Sequence, residues 1–185
     1  MTYNPFVEML RSRAGGKITG IPSICSSHPL VIEAALLEGK ANKTPVLIEA
    51  TCNQVNQDGG YTGMTPLDFR QYVEQIAAKV GFDLHQLFLG GDHLGPNPWK
   101  DLPANDAMAK AEILISRYVD AGFVKIHIDA SMPCADDATP LSDTTIAARS
   151  ARLAAVAESA VSGQKPVYII GTEVPIPGGA MEAID

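Results

Sequence analysis

Four short stretches of the 185-residue chain gather the residue types that do chemistry. Asp92 and His93 are adjacent, between Gly90-Gly91 and Gly95-Pro96-Asn97. Lys125, His127 and Asp129 alternate, with Ser131 two residues on. Glu49 is followed by Thr51, Asn53, Gln54, Asn56 and Gln57, and Glu173 stands before Gly178-Gly179. A carboxylate held at the end of a strand can move a proton to or from a substrate, and Asp92 and Glu173 are the candidates for that role. Asp92-His93 also reads as a turn aspartate beside a helix-start histidine. Lys125, His127 and Asp129 point to one face if the segment is extended. On a solvated face they are ordinary polarity; inside a packed barrel they need partners, because unpaired buried charge is costly. Neutral amides such as Asn53, Gln54 and Asn56 offer donors and acceptors to a polyhydroxylated ligand. The glycines that follow, Gly59-Gly60 and Gly63, would let backbone N–H groups approach a phosphate. The same stretch also reads as a structural loop held by its own amides. Glu49, Lys125, His127, Asp129 and Ser131 join the three amides as candidate ligand-binding residues. His85 falls at the other end of its strand and reads as a surface or packing residue.

The elements that must position these residues repeat. Gly39, Gly81, Gly122 and Gly163 are separated by 42, 41 and 41 residues, each after a helical pattern. Glycine just past a helix is the usual stop, because it takes positive φ without cost. Short apolar runs follow at Pro45–Ala50, Gln86–Gly91, Phe123–Asp129 and Pro166–Gly171, and a comparable run, Ile18–Cys25, precedes the first helix. Nearly continuous apolarity suits buried parallel strands. The segments between them have helical spacing, as in Phe69, Tyr72, Val73, Ile76, Ala77 and Val80. Thr65, Asn105 and Ser142 are the expected N-caps of the second, third and fourth helices, and the first runs from about His28 to Glu38.

Five strands alternating with four helices imply a parallel sheet with crossover helices. The choice lies between an open doubly wound sheet and a (β/α)8 barrel. No GxGxxG follows the first strand, which weakens the dinucleotide-binding version. A full barrel at this repeat length needs on the order of 330 residues. The reading is therefore an α/β chain, residues 1–185 forming one partial TIM-barrel domain that stops after its fifth strand.

Composition narrows the function. Asp+Glu number 21 against 14 Lys+Arg, a net charge of −7, which argues against a nucleic-acid or anionic-membrane surface. No apolar run reaches membrane-span length, and the N-terminal stretch lacks a signal-peptide core. Three widely spaced cysteines, Cys25, Cys52 and Cys134, point to a reduced, cytoplasmic compartment.

The stretches LIEATCNQVNQDGGYTGMTPLDFR, LGGDHLGPNPW, KIHIDASMPCA and IIGTEVPIPGG resemble the non-catalytic (Z) subunit family of bacterial D-tagatose-1,6-bisphosphate aldolase, of galactitol and N-acetylgalactosamine catabolism. The likeness runs from about Ile18 to the last residues. It implies a (β/α)8 barrel more than twice this length, of which the chain is similar to the N-terminal half. It also implies a partner, the zinc-dependent catalytic class II aldolase subunit, whose activity and stability the family supports, and a sugar phosphate as the associated ligand. The family has also carried a tagatose-6-phosphate kinase label, but the sequence shows no P-loop or kinase motif. In class II aldolases the third strand ends in Asp-His, the aspartate moving a proton and the histidine binding zinc. Asp92 and His93 match that pattern, Ile128-Asp129-Ala130-Ser131 resembles the end of the fourth strand, and Glu173 precedes a glycine pair as on the fifth. The implied cofactor is Zn2+, in the full-length relative or in the catalytic partner.

An accessory aldolase subunit acting through protein contact is thus the leading expectation. The alternative is a metal-dependent sugar-phosphate aldolase or ketose epimerase in its own right. A Schiff-base aldolase using Lys125 would need that amine's pKa lowered, and a nearby Asp129 works the other way.

Overall fold

The computed structural model of the chain describes residues 5–16, 20–161 and 165–171. Strands β1 (Ser23–Cys25), β2 (Val46–Thr51), β3 (Leu87–Leu94), β4 (Lys125–Ile128) and β5 (Val167–Ile170) form one sheet. Every adjacent pair is parallel, and the order across the sheet is the order along the chain. A doubly wound sheet reverses its direction of growth at a switch point, whereas a barrel adds each strand on the same side. The unbroken order decides for the barrel: this is an arc of five staves.

Helices α2 (Pro29–Asn42), α3 (Pro66–Val80), α4 (Ala104–Asp120) and α5 (Asp143–Ala160) each connect one strand to the next. Their apolar stripes meet one face of the sheet. Ile32 and Leu36, Phe69 and Val73, Leu114 and Tyr118, and Leu153 pack with Val46, Ile48, Leu89, Ile126 and Ile128 in a single core cluster. The other face holds the candidate site residues of β2, β3 and β4, because side chains alternate along a strand. Among the described residues no helix is long and apolar enough to cross a membrane.

Several expected boundaries hold and others shift. Thr65 caps α3 in a reciprocal capping box with Asp68, and Gly81 ends that helix at φ 66°. Ser142 accepts the Thr145 N–H at the start of α5. Asn105 does not cap α4: that helix opens one residue earlier, after Pro103, and the Ala104 N–H donates to the Asp136 carboxylate at 2.6 Å. Gly39 does not stop α2 either. The helix runs on to Asn42 and ends at Lys43, φ 55°. Gly39 is small for packing: a Cβ there would lie 2.2 Å from the Val46 Cγ2. Gly163 lies outside the described residues.

Two further differences bear on the site. Helix α1 (Pro5–Ala14), which the sequence reading lacked, precedes the first strand. Its Phe6 meets Phe88 edge-on, with centroids 6.3 Å apart, and packs with Leu47 as a small apolar cluster on the inner face. That cluster lies at the N-terminal ends of the strands, opposite the polar residues. The first strand is shorter than expected, three residues, and the third is longer, so Asp92 and His93 belong to β3 itself rather than to a turn.

Candidate functional site

The inner face is built in layers that follow the strand register. Above the Leu47–Phe88 cluster lie Cys25, Glu49, Gly90 and Lys125, aligned across β1 to β4. Glu49 and Lys125 sit on strands that are not neighbours, yet Lys125 Nζ donates to Glu49 Oε1 at 2.5 Å. The contact passes over β3 at Gly90, where a Cβ would lie 2.4 Å from that same Oε1. Glycine between two long polar side chains is what lets them meet. Both side chains are almost wholly buried, 3% and 6% exposed. A buried pair of this kind is stable only while both members are present. Nucleophilic use of the Lys125 amine would require the pair to be broken.

One step further along the strands, Thr51 aligns with Asp92 and His127 with Ile169. The β3–β4 register shifts between Gly91 and Leu94, and His93 has φ 48°. Consecutive side chains of a regular strand face opposite ways. The bulge and the left-handed residue undo that alternation, so Asp92 and His93 both reach the inner face, while Leu94 returns to the outer core, fully buried. A non-glycine residue at this φ is strained, and such residues concentrate at functional sites. Asp92 Oδ1 lies 3.0 Å from His127 Nδ1 and 3.2 Å from His93 Nδ1. The two imidazole rings are 4.2 Å apart between centroids. The hydrogen bond with His127, reinforced by the nearby His93 and Lys125, holds the Asp92 carboxyl well below the usual carboxylate range despite its partial burial. A carboxylate so stabilised is a weak base and a good acceptor or ligand. His127 Nε2 is buried and has no hydrogen-bond partner among the described residues. Beside it Gly171, just past β5, keeps space open: a Cβ there would lie 2.9 Å from Nε2.

Asp129 follows β4 and is buried, 5% exposed. Its Oδ1 accepts from the Ser131 N–H at 2.9 Å and the Ser131 hydroxyl at 2.6 Å, a local turn that aims the carboxylate. Asp129, His93, Asn53 and Lys100 line a cleft of about 340 Å3 at the C-terminal ends of β2 to β4. Asn97, which follows Asp92-His93 in the sequence pattern, lines the cleft as well, and Lys100 joins it without having been a candidate from sequence. The signal for both is the Gly95-Pro96-Asn97-Pro98 stretch one residue past Asp92-His93, which leads into a single 3-10 turn, Asn97–Trp99, at the cleft edge.

The amide-rich stretch divides. Asn53 is exposed and lines the cleft. Gln54 and Asn56 are buried and are spent inside the loop. Gln54 Oε1 accepts the Thr51 N–H at 2.8 Å, and Asn56 Oδ1 accepts from Asp58 and Gly60 N–H at 2.9 and 3.0 Å. The Gly59 N–H goes to the Asn56 carbonyl. The loop is tied to α4 from behind by the Tyr118 hydroxyl, which donates to the Val55 carbonyl at 2.9 Å. Cys52 anchors the two strand ends to each other: its Sγ donates to the His93 carbonyl at 3.0 Å, and burial pushes its thiol up to about 12, so the donor proton stays. Glu173 lies outside the described residues.

The described geometry therefore joins Asp92, His93 and His127 in one cluster and Glu49 and Lys125 in a second beneath it. Asn53 and Asp129 open on the cleft beside the first. A family model described as D-tagatose-1,6-bisphosphate aldolase subunit GatZ/KbaZ-like matches residues 6–185. Among solved structures, the chain is similar to the crystal structure of a probable tagatose 6 phosphate kinase from Sinorhizobium meliloti 1021. The two are 65% identical with a TM-score of 0.80, over 86% of this chain and 41% of that one. The chain thus spans less than half the length of this relative.

Proposed function

The chain belongs to the GatZ/KbaZ-like family of D-tagatose-1,6-bisphosphate aldolase subunits, and on that premise we propose that it acts as an accessory, non-catalytic subunit. Its partner is the catalytic class II tagatose-bisphosphate aldolase subunit, in the cytoplasmic breakdown of tagatose phosphates. On this reading residues 1–185 form one partial barrel domain. The observation that carries the proposal is the family match through every strand and strand-end loop. The site geometry supports it in one respect: the candidate nucleophile, Lys125, is committed to Glu49 in a buried ion pair. An accessory subunit that binds only the folded partner stabilises it by mass action, by about 2.7 kcal/mol at a hundredfold excess over Kd. Co-expression with the catalytic subunit should raise that partner's specific activity and melting temperature. A partner whose activity and unfolding are the same with and without this chain overturns the reading.

A second reading, a metal-dependent sugar-phosphate aldolase or ketose epimerase, is favoured by one observation: two histidines and a carboxylate converge beside an open cleft. A bound divalent ion would supply polarisation of a ketose carbonyl. Asn53 and Asp129 are placed to accept or donate to sugar hydroxyls, and Lys100 to meet a phosphate. Turnover of tagatose 1,6-bisphosphate by this subunit alone, dependent on zinc and lost in Asp92→Ala, would establish it; no turnover removes it. Phosphoryl transfer, named for the Sinorhizobium relative, gains no support from the glycine loop, whose Gly59 and Gly60 N–H groups are already bonded to Asn56.

A further inference from the structure

The zinc pattern carried over by resemblance rests on His93 alone. The bulged end of β3 and the adjoining β4 bring more together. We propose that Asp92, His93 and His127 are a three-donor site for one divalent transition-metal ion of the zinc type, with His127 and Asp92 as ligands added to His93. The inference deepens the second reading's cluster but holds whether or not the subunit turns over substrate.

The distances fit. One donor atom from each residue can be chosen so that all lie within 4.8 Å of one another. The Asp92 Oδ1 edges to the two Nδ1 atoms are 3.0 and 3.2 Å. A tetrahedral ion with nitrogen and oxygen ligands about 2.0–2.1 Å away spaces those ligands about 3.3 Å apart. Two imidazoles and a carboxylate with a fourth position left open form the donor set of catalytic rather than structural zinc. The fourth position has somewhere to go, because His93 also lines the cleft. The backbone is shaped for the same end: without the bulge and the left-handed His93, one of the two adjacent donors would face the outer core. The two nearby thiols have other partners: Cys52 Sγ donates to the His93 carbonyl at 3.0 Å and Cys25 Sγ to Gln54 Oε1 at 3.6 Å.

The chain has four histidines, which makes the test compact. Metal-free protein, without the catalytic partner, is titrated calorimetrically with Zn2+ and optically with Co2+. The expected result is one equivalent of either ion, with Co2+ showing d–d bands of tetrahedral type and no thiolate charge-transfer band. His93→Gln and His127→Gln should each weaken binding by at least about tenfold, while His85→Gln, on an exposed turn, leaves it unchanged. Circular dichroism of each variant checks that it folds, and nitrogen-15 shifts of the wild-type imidazoles report ligation at His127 without any substitution. Absence of stoichiometric binding overturns the proposal, as does binding that survives in His127→Gln or histidine shifts that ignore the metal. Because no partner and no substrate are present, failure here is separate from failure of the accessory-subunit reading.

Discussion

The Glu49–Lys125 pair and the Asp92–His93–His127 cluster are adjacent layers on one face of the sheet, Lys125 and His127 two residues apart on β4, yet they are built to opposite ends. The lower pair is closed. Its charges neutralise each other, it is shut away from water, and Gly90 removes the one side chain that would separate them. The upper cluster is open. One carboxylate oxygen serves two rings, a buried ring nitrogen lacks a partner among the described residues, and one donor stands on a strained residue beside a cleft. Polar residues on a barrel's inner face are therefore not all site residues. Those whose bonding capacity is used up hold the strands; those left partly unused are available to a ligand.

The largest effect should come from the lower pair. Glu49→Ala leaves a buried ammonium without its counter-charge and is expected to cost about 3–5 kcal/mol, read as a lower denaturant midpoint. A Glu49→Gln, Lys125→Met double variant should recover much of that loss; if the single change is neutral, the pair is not the strand clamp described here.

A second clamp tests the contrast away from the site. Arg149 on α5 holds Asp137 through two hydrogen bonds of 2.8 and 2.6 Å, and Asp137 also accepts the Cys134 N–H. The guanidinium keeps the Asp137 carboxyl below its ordinary range. A depressed folded-state pKa gives stability that is present above the unfolded value, about 3.9, and lost as pH falls through the folded one. Arg149→Leu should cost about 1.5–3 kcal/mol at neutral pH and flatten the acid limb of a stability–pH curve. An unchanged acid limb would mean the pair contributes nothing through protonation.

Tyr118→Phe removes the hydroxyl that ties the β2 loop to α4. The expected cost is about 1 kcal/mol in urea unfolding, with faster amide exchange at the residues after β2. An effect of similar size sharpens the comparison most. At φ 48° a glycine is at ease and an alanine is not, so His93→Gly should be more stable than His93→Ala by about 1 kcal/mol. Equal stability of the two would show that the upper cluster carries no backbone strain.

The alternation of strands and helices, the caps at Thr65 and Ser142, and the rim clustering of polar residues were all legible from local chemistry, because each depends on residues a few positions apart. Helix α1 was legible in principle from Phe6 and Met9 at i, i+3, but a single short stripe competes with many. The regular glycine spacing was real, though Gly39 keeps it for a different reason, the close approach of Val46.

By itself, then, the chain's order of residues determined its class, its repeat and the end of the sheet where its polar residues gather. Only the tertiary structure decided the barrel arc over the doubly wound sheet, since strand order is a choice among distant pairings. It also decided which polar residues meet. Glu49 reaches Lys125 across 76 positions of chain and Asp92 reaches His127 across 35. A one-residue bulge in β3 turned Asp92 and His93 to one side. Register and bulges are set by packing across strands, and no local periodicity encodes them.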